Sequence, residues 1–212
     1  MNRIFRLITI SVFIIGFPMV SWYYLNEGYK YRISVIAELD QNLGKVPTFN
    51  LVNQYGKTVN QEDLPNNAVI TNFVDLDAID KSKAYMDILY KIQDQFDKKD
   101  DILFYTFIKG ASLADVQNYT KSLNIKEEKQ WNFLTGDGEQ MEQFINAFPF
   151  PEGVQKSYTG NSTVAIADTS AVIRFFYDMN DTKNAGKLIE HIANLMPQAP
   201  PEEARMKREL EK

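Results

Sequence analysis

Three aspartates within six residues, Asp75, Asp77 and Asp80, follow the apolar run Val69–Val74 and precede an amphipathic stretch that begins near Lys81. Carboxylates so spaced could hold a hard cation such as Ca²⁺, which takes carboxylate and carbonyl oxygens. The loop lacks the glycine and the distal glutamate of an EF-hand, however. Asp75 and Asp77 could instead form a carboxylate pair with one raised pKa, but no second catalytic group accompanies them. The favoured reading is a solvated loop in which Asp80 N-caps the following helix, its carboxylate accepting from first-turn N–H groups.

Little else could do chemistry. The chain has no cysteine, which excludes disulfide exchange and thiolate ligation. Its one histidine, His191, has Leu188, Ile192 and Leu195 at helical spacing, which makes it a structural residue at the edge of an apolar stripe. Ser162 has no histidine nearby in sequence and no nucleophile elbow. Gly136-Asp137-Gly138 has no phosphate-loop pattern around it and reads as a turn. Trp22, Tyr23 and Tyr24 could cage a cationic ligand, but their place at the end of an apolar run favours anchoring at a membrane interface. No catalytic, cofactor-binding or metal-ligating residue is therefore assigned, and no cofactor. A net charge of −5 argues against nucleic acid as a partner.

The elements that position these residues follow from periodicity. Leu7–Leu25 carries no charge and is preceded by Arg3 and Arg6. At ~1.5 Å per residue it reaches about 28 Å, close to a bilayer core. The run is long for a cleaved signal and no small-x-small site follows it, so it reads as an uncleaved signal anchor. Gly16-Phe17-Pro18 is a kink within it. Lys30 and Arg32 balance Arg3 and Arg6, so charge alone leaves the orientation tied. The usual topology of short-tailed anchors puts the N-terminus in the cytoplasm and the domain outside. The expected division is an anchor over 1–28, a linker over 29–46, a domain over 47–197 and a charged tail over 198–212.

Within the domain, Phe49 and Leu51 alternate with polar residues before a turn at Gln54–Lys57, which gives a hairpin. Val69–Val74 is a buried strand, expected in the interior of a sheet. The next helix carries Ala84, Ile88, Ile92 and Phe96 as its apolar stripe, with Tyr85 and Leu89 on the flank. Further strands are expected at Ile102–Ile108, Trp131–Leu134, Thr163–Ala167 and Val172–Tyr177, and helices at Ser112–Leu123, Glu139–Phe148 and Lys183–Met196. Strands separated by helices imply parallel pairing, closed by an antiparallel hairpin. The fold class is α/β, a thioredoxin-like domain behind one transmembrane helix.

Several segments in order resemble the Sco/SenC family of copper chaperones for cytochrome c oxidase assembly. TFNLVNQYGKTVNQEDL resembles its opening hairpin, and VITNFV its strand before a CxxxC motif. ASLADVQNYTKSLN resembles a later helix, WNFLTGDGEQMEQF a Trp-x-x-Leu-Thr-Gly strand and helix, and NSTVAIADTSAVIRFFY its penultimate hairpin. The resemblance spans about Pro47–Met196 and implies a thioredoxin-like (Sco-type) domain. It also implies copper held by two cysteines and a histidine. The matching positions here are Asp75–Asp80, without cysteine, and Thr159-Gly160-Asn161, without histidine. Cu(I) favours soft thiolates, for which carboxylates are poor substitutes.

The expectation is thus a degenerate Sco-like protein on the bacterial inner membrane with a periplasmic domain. It would serve as a non-catalytic accessory or assembly subunit of a membrane complex, a respiratory one by family setting. The alternatives are a metallochaperone or redox protein using ligands such as Met86 or Met141, and a subunit of an unrelated cell-envelope machine.

Overall fold

The structure, a computed structural model, describes residues 10–64, 66–76, 79–123, 130–152 and 162–196, except the side chains of Asp80 and Lys81. Arg3, Arg6, Asp77, the positions Thr159-Gly160-Asn161 and the charged tail lie outside the described residues. The chain divides into two compact units, Met1–Asp40 and Gln41–Lys212.

In the first unit a π-helical turn, Val12–Gly16, leads into helix α1, Phe17–Leu39. Pro18 accounts for the turn: it has no N–H to donate to Ile14, and its ring crowds that carbonyl. No described helix is long and apolar enough to cross a membrane. Ser11, Gly16 and Phe17 all keep helical dihedrals, so the helical backbone runs on through the π turn into α1, which continues past Leu25 through Glu27, Lys30 and Arg32. Residues 29–39, within the expected linker, form the second half of α1.

The second unit is built on a seven-stranded sheet. Its strands are β1 (Asn50–Asn53), β2 (Thr58–Asn60), β3 (Ala68–Asp75), β4 (Ile102–Lys109), β5 (Trp131–Thr135), β6 (Thr163–Ala167) and β7 (Ile173–Asp178), in the spatial order β2-β1-β5-β4-β3-β6-β7. The β3–β4 and β4–β5 pairs are parallel, and β1–β2, β1–β5, β3–β6 and β6–β7 are antiparallel. The intervening helices are α2 (Ile79–Gln95), α3 (Leu113–Ser122), α4 (Gly138–Ala147) and α5 (Thr182–Leu195). This is the expected order. The hairpin that precedes β3 in sequence lies across the sheet from it, beside β5.

Alternation along β3 sends Ile70 and Val74 to one core cluster and Val69 and Phe73 to the other. The first cluster is completed by α2, α3 and α5, and the second by Met141, Phe144 and Ile145 of α4. Seven residues of β3, Ala68–Val74, are buried, as expected for an interior strand covered on both faces.

Two local expectations are corrected. Helix α2 begins at Ile79, so Asp80 lies inside the first turn and is not its N-cap. The buried stripe of α2 is Tyr85, Met86, Leu89 and Ile92, continued by Phe96 just past its end, whereas Ala84 is exposed and Ile88 only half-buried. The helix is rotated because Tyr85 and Met86 bond to β3, which apolar spacing alone does not register. Helix α3 opens on a capping box between Ser112 and Asp115.

Candidate functional site at the end of strand β3

In a parallel α/β sheet, chemistry collects where strands end and helices begin. Here that place is Asp75–Leu76 and the first turns of α2. Asp75 stands in register with Lys109 of β4, and Lys109 Nζ lies 3.5 Å from Glu142 Oε1. A cation is therefore interleaved with the carboxylates. Ser82 Oγ donates to the Ile79 carbonyl at 2.9 Å and closes the first turn of α2.

Beneath the loop the strands are joined by buried polar groups. Trp131 Nε1 donates to Thr106 Oγ1 at 2.8 Å, and Thr106 Oγ1 donates to Asn72 Oδ1 at 2.8 Å. Asn72 Nδ2 in turn donates to Met86 Sδ at 3.2 Å. This chain of donors crosses β5, β4 and β3 and ends on α2. Nearby, Tyr85 OH donates to the Phe73 carbonyl at 2.7 Å. Burial pushes the Tyr85 and Tyr119 phenols above their ordinary range, so both remain protonated.

All of these groups are neutral. They offer no base, no nucleophile at physiological pH and no open ligand position. Among the described residues, no three His, Cys, Asp or Glu side chains converge as a metal site. Met86 and Met141, the soft ligands proposed for a metallochaperone, are 1% and 0% exposed. They belong to separate clusters on opposite faces of the sheet, so they cannot share one ion.

The remaining candidates are structural. His191 is fully buried on α5, its Nδ1 2.6 Å from the Tyr177 hydroxyl and its ring edge-on to Phe175. Ser162 Oγ donates to Asp178 and accepts from Asn180 Nδ2 at 2.7 Å, which fastens the turn after β7. Asp137 N-caps α4, accepting from Gln140 N at 2.7 Å. A side chain on Gly136 would place its Cβ 2.5 Å from Leu51 Cδ2, so glycine lets the strand end pack against β1. Tyr23 and Tyr24 meet edge-on with ring centroids 5.8 Å apart, and Trp22, Tyr23 and Tyr24 are all exposed.

Sequence reasoning missed the Trp131–Thr106–Asn72 chain and the Arg174–Asp168 pair, whose Nη2–Oδ2 distance is 2.6 Å. The signal for the former was a buried polar residue in each of two mostly apolar strands, Asn72 beside Thr71 in β3 and Thr106 in β4. Asn72 and Thr106 are register partners in the parallel pair.

No family model matches the chain, and no curated protein matches it in sequence. Solved structures do match. An SCO1/SenC family lipoprotein from Bacillus anthracis superposes with a TM-score of 0.64 at 19% identity, covering 75% of this chain and 99% of that one. BsSco, a member of the Sco family of cytochrome c oxidase assembly proteins, gives 0.63 at 16% identity over 76% and 99%. A thioredoxin-family thiol:disulfide interchange protein from Chlorobium tepidum gives 0.54 at 16% identity over 74% and 99%. The domain has a thioredoxin-like fold of the Sco type, as the ordered motifs implied. At these identities the likeness is one of fold.

Proposed function

We propose that this is a membrane-anchored, extracytoplasmic Sco-type protein that works by binding, without copper or thiol chemistry, as an accessory or assembly subunit of a membrane complex. One observation carries this reading. A complete Sco-type fold has no cysteine, and packed neutral groups lie beneath the loop where the resemblance places two copper-binding cysteines. Cu(I) has no soft, accessible ligand there. BsSco belongs to a family of cytochrome c oxidase assembly proteins, which makes a respiratory oxidase the first complex to examine.

The anchor is the run Leu7–Leu25. Its described side chains are exposed and, apart from Ser11 and Ser21, apolar from Ile10 to Leu25, with Trp22 at 70% exposure. A helix apolar all round requires an apolar surrounding, which a bilayer supplies. The N-terminus would be cytoplasmic and the domain periplasmic.

The test is affinity purification of the tagged full-length protein from mild-detergent membranes, with identification of stoichiometric partners. Oxidase subunits or assembly factors are expected. Recovery with an unrelated envelope machine would assign the fold to that machine instead. Retention of one equivalent of Cu(I) against a competing chelator would overturn the binding-only reading.

A further inference from the structure

The residues between α1 and the domain core form a strap on the outer edge of β7. Leu43 N donates to Ile173 O at 3.0 Å and Ile173 N donates to Gly44 O at 2.8 Å. Lys45 bridges antiparallel to Val172, and Arg174 Nη1 donates to the Gln41 carbonyl at 3.0 Å. The same guanidinium is forked onto Asp168 Oδ2 through Nε at 2.8 Å and Nη2 at 2.6 Å. Asp168 Oδ1 accepts from Ser170 N and Val172 N, so Arg174 is held by the turn that shapes this edge.

The strap is held more weakly than Val46, the residue at its C-terminal end. Gln41, Asn42 and Lys45 are exposed, and Leu43 and Gly44 only half-buried. Gly44 has φ +113°, and a Cβ there would lie 2.8 Å from Pro149 Cγ, so no other residue fits without strain. Val46, by contrast, is buried in the second core cluster. Its N–H donates to the Ala171 carbonyl at 3.0 Å, and its carbonyl accepts from Gln61 Nε2 at 2.9 Å. Segments with few buried apolar contacts and exposed backbone bonds open before the core does.

We propose that Gln41–Lys45 is a releasable clasp on the sheet edge, latched by Arg174 and hinged at Val46. Opening bares the N–H and C=O of Ile173 on that edge, which the closed clasp guards.

Native-state hydrogen exchange on the full chain in detergent tests this. The Leu43 and Ile173 amides are expected to exchange much faster than Val46, Ile70 and Phe104. Arg174→Gln, which removes the latch, should accelerate Leu43 and Ile173 about tenfold, the scale of losing a charge-assisted bond, and leave Ile70 and Phe104 unchanged. Asn42→Ala removes only the strap's own bond from Gly44 N to Asn42 Oδ1 and should act in the same direction without disturbing Asp168. If Leu43 and Ile173 exchange no faster than Ile70, or if both variants accelerate all these amides equally, there is no separate clasp and the proposal fails.

Discussion

Asn72 on β3 and Thr106 on β4 are register partners in a parallel pair, and the Thr106 hydroxyl donates to the Asn72 carboxamide at 2.8 Å inside the core. Each is at most 1% exposed, so neither can exchange its partner for water. The same hydroxyl accepts from Trp131 Nε1. Replacing Thr106 by valine therefore orphans groups on both sides, whereas Asn72→Ala orphans mainly the Thr106 proton. Each unsatisfied buried group costs ~1–3 kcal/mol. Thr106→Val is expected to be the more destabilising in urea denaturation, and equal or smaller loss would show that the chain does not act through Thr106.

The aromatic side chain of Phe73 packs in the opposite cluster, with ring centroids 5.5 Å from Phe107 and 5.0 Å from Phe148. Phe73→Ala should cost ~3–5 kcal/mol. Asp75→Ala, at the half-buried end of the same strand, should stay within about 0.5 kcal/mol. A thermal melt of each variant beside a functional readout separates scaffold from site. Loss of function in Asp75→Ala at an unchanged melting temperature would make the acidic loop the site.

Asp178 is held below the ordinary carboxylate range, first by the Ser162 hydroxyl and then by the Asn180 backbone N–H. A depressed folded-state pKa contributes stability that is present above the unfolded value, near 3.9, and is lost as pH falls through the folded value. The stability gap between the parent and Asp178→Asn should therefore be full at neutral pH and shrink in acid below about pH 4. The residue is exposed, so the gap will be small. Denaturation of both proteins from neutral to strongly acid pH measures it, and a gap that widens in acid would contradict the assignment.

Membrane retention is expected from the exposed apolar surface of Ile10–Leu25. Carbonate-washed membranes should keep the full-length chain in the pellet. A soluble form beginning after Trp22 would show cleavage instead.

The sequence by itself determined which elements form and in what order, because a strand or helix is written in local periodicity: Val69–Val74 is a mostly apolar run rich in β-branched residues, and Ser112 and Asp115 sit at capping-box spacing. It also determined, by composition, that no thiol chemistry is available. The tertiary structure decided the rest through contacts between residues far apart in the chain. Asn72 found Thr106 and Trp131 through strand register, and Tyr85 and Met86 turned α2 away from the stripe that spacing favoured. Arg174 reached back to Gln41 and made an edge strap of residues that read locally as linker. None of these contacts leaves a periodic trace, because each depends on which strands become neighbours in the sheet.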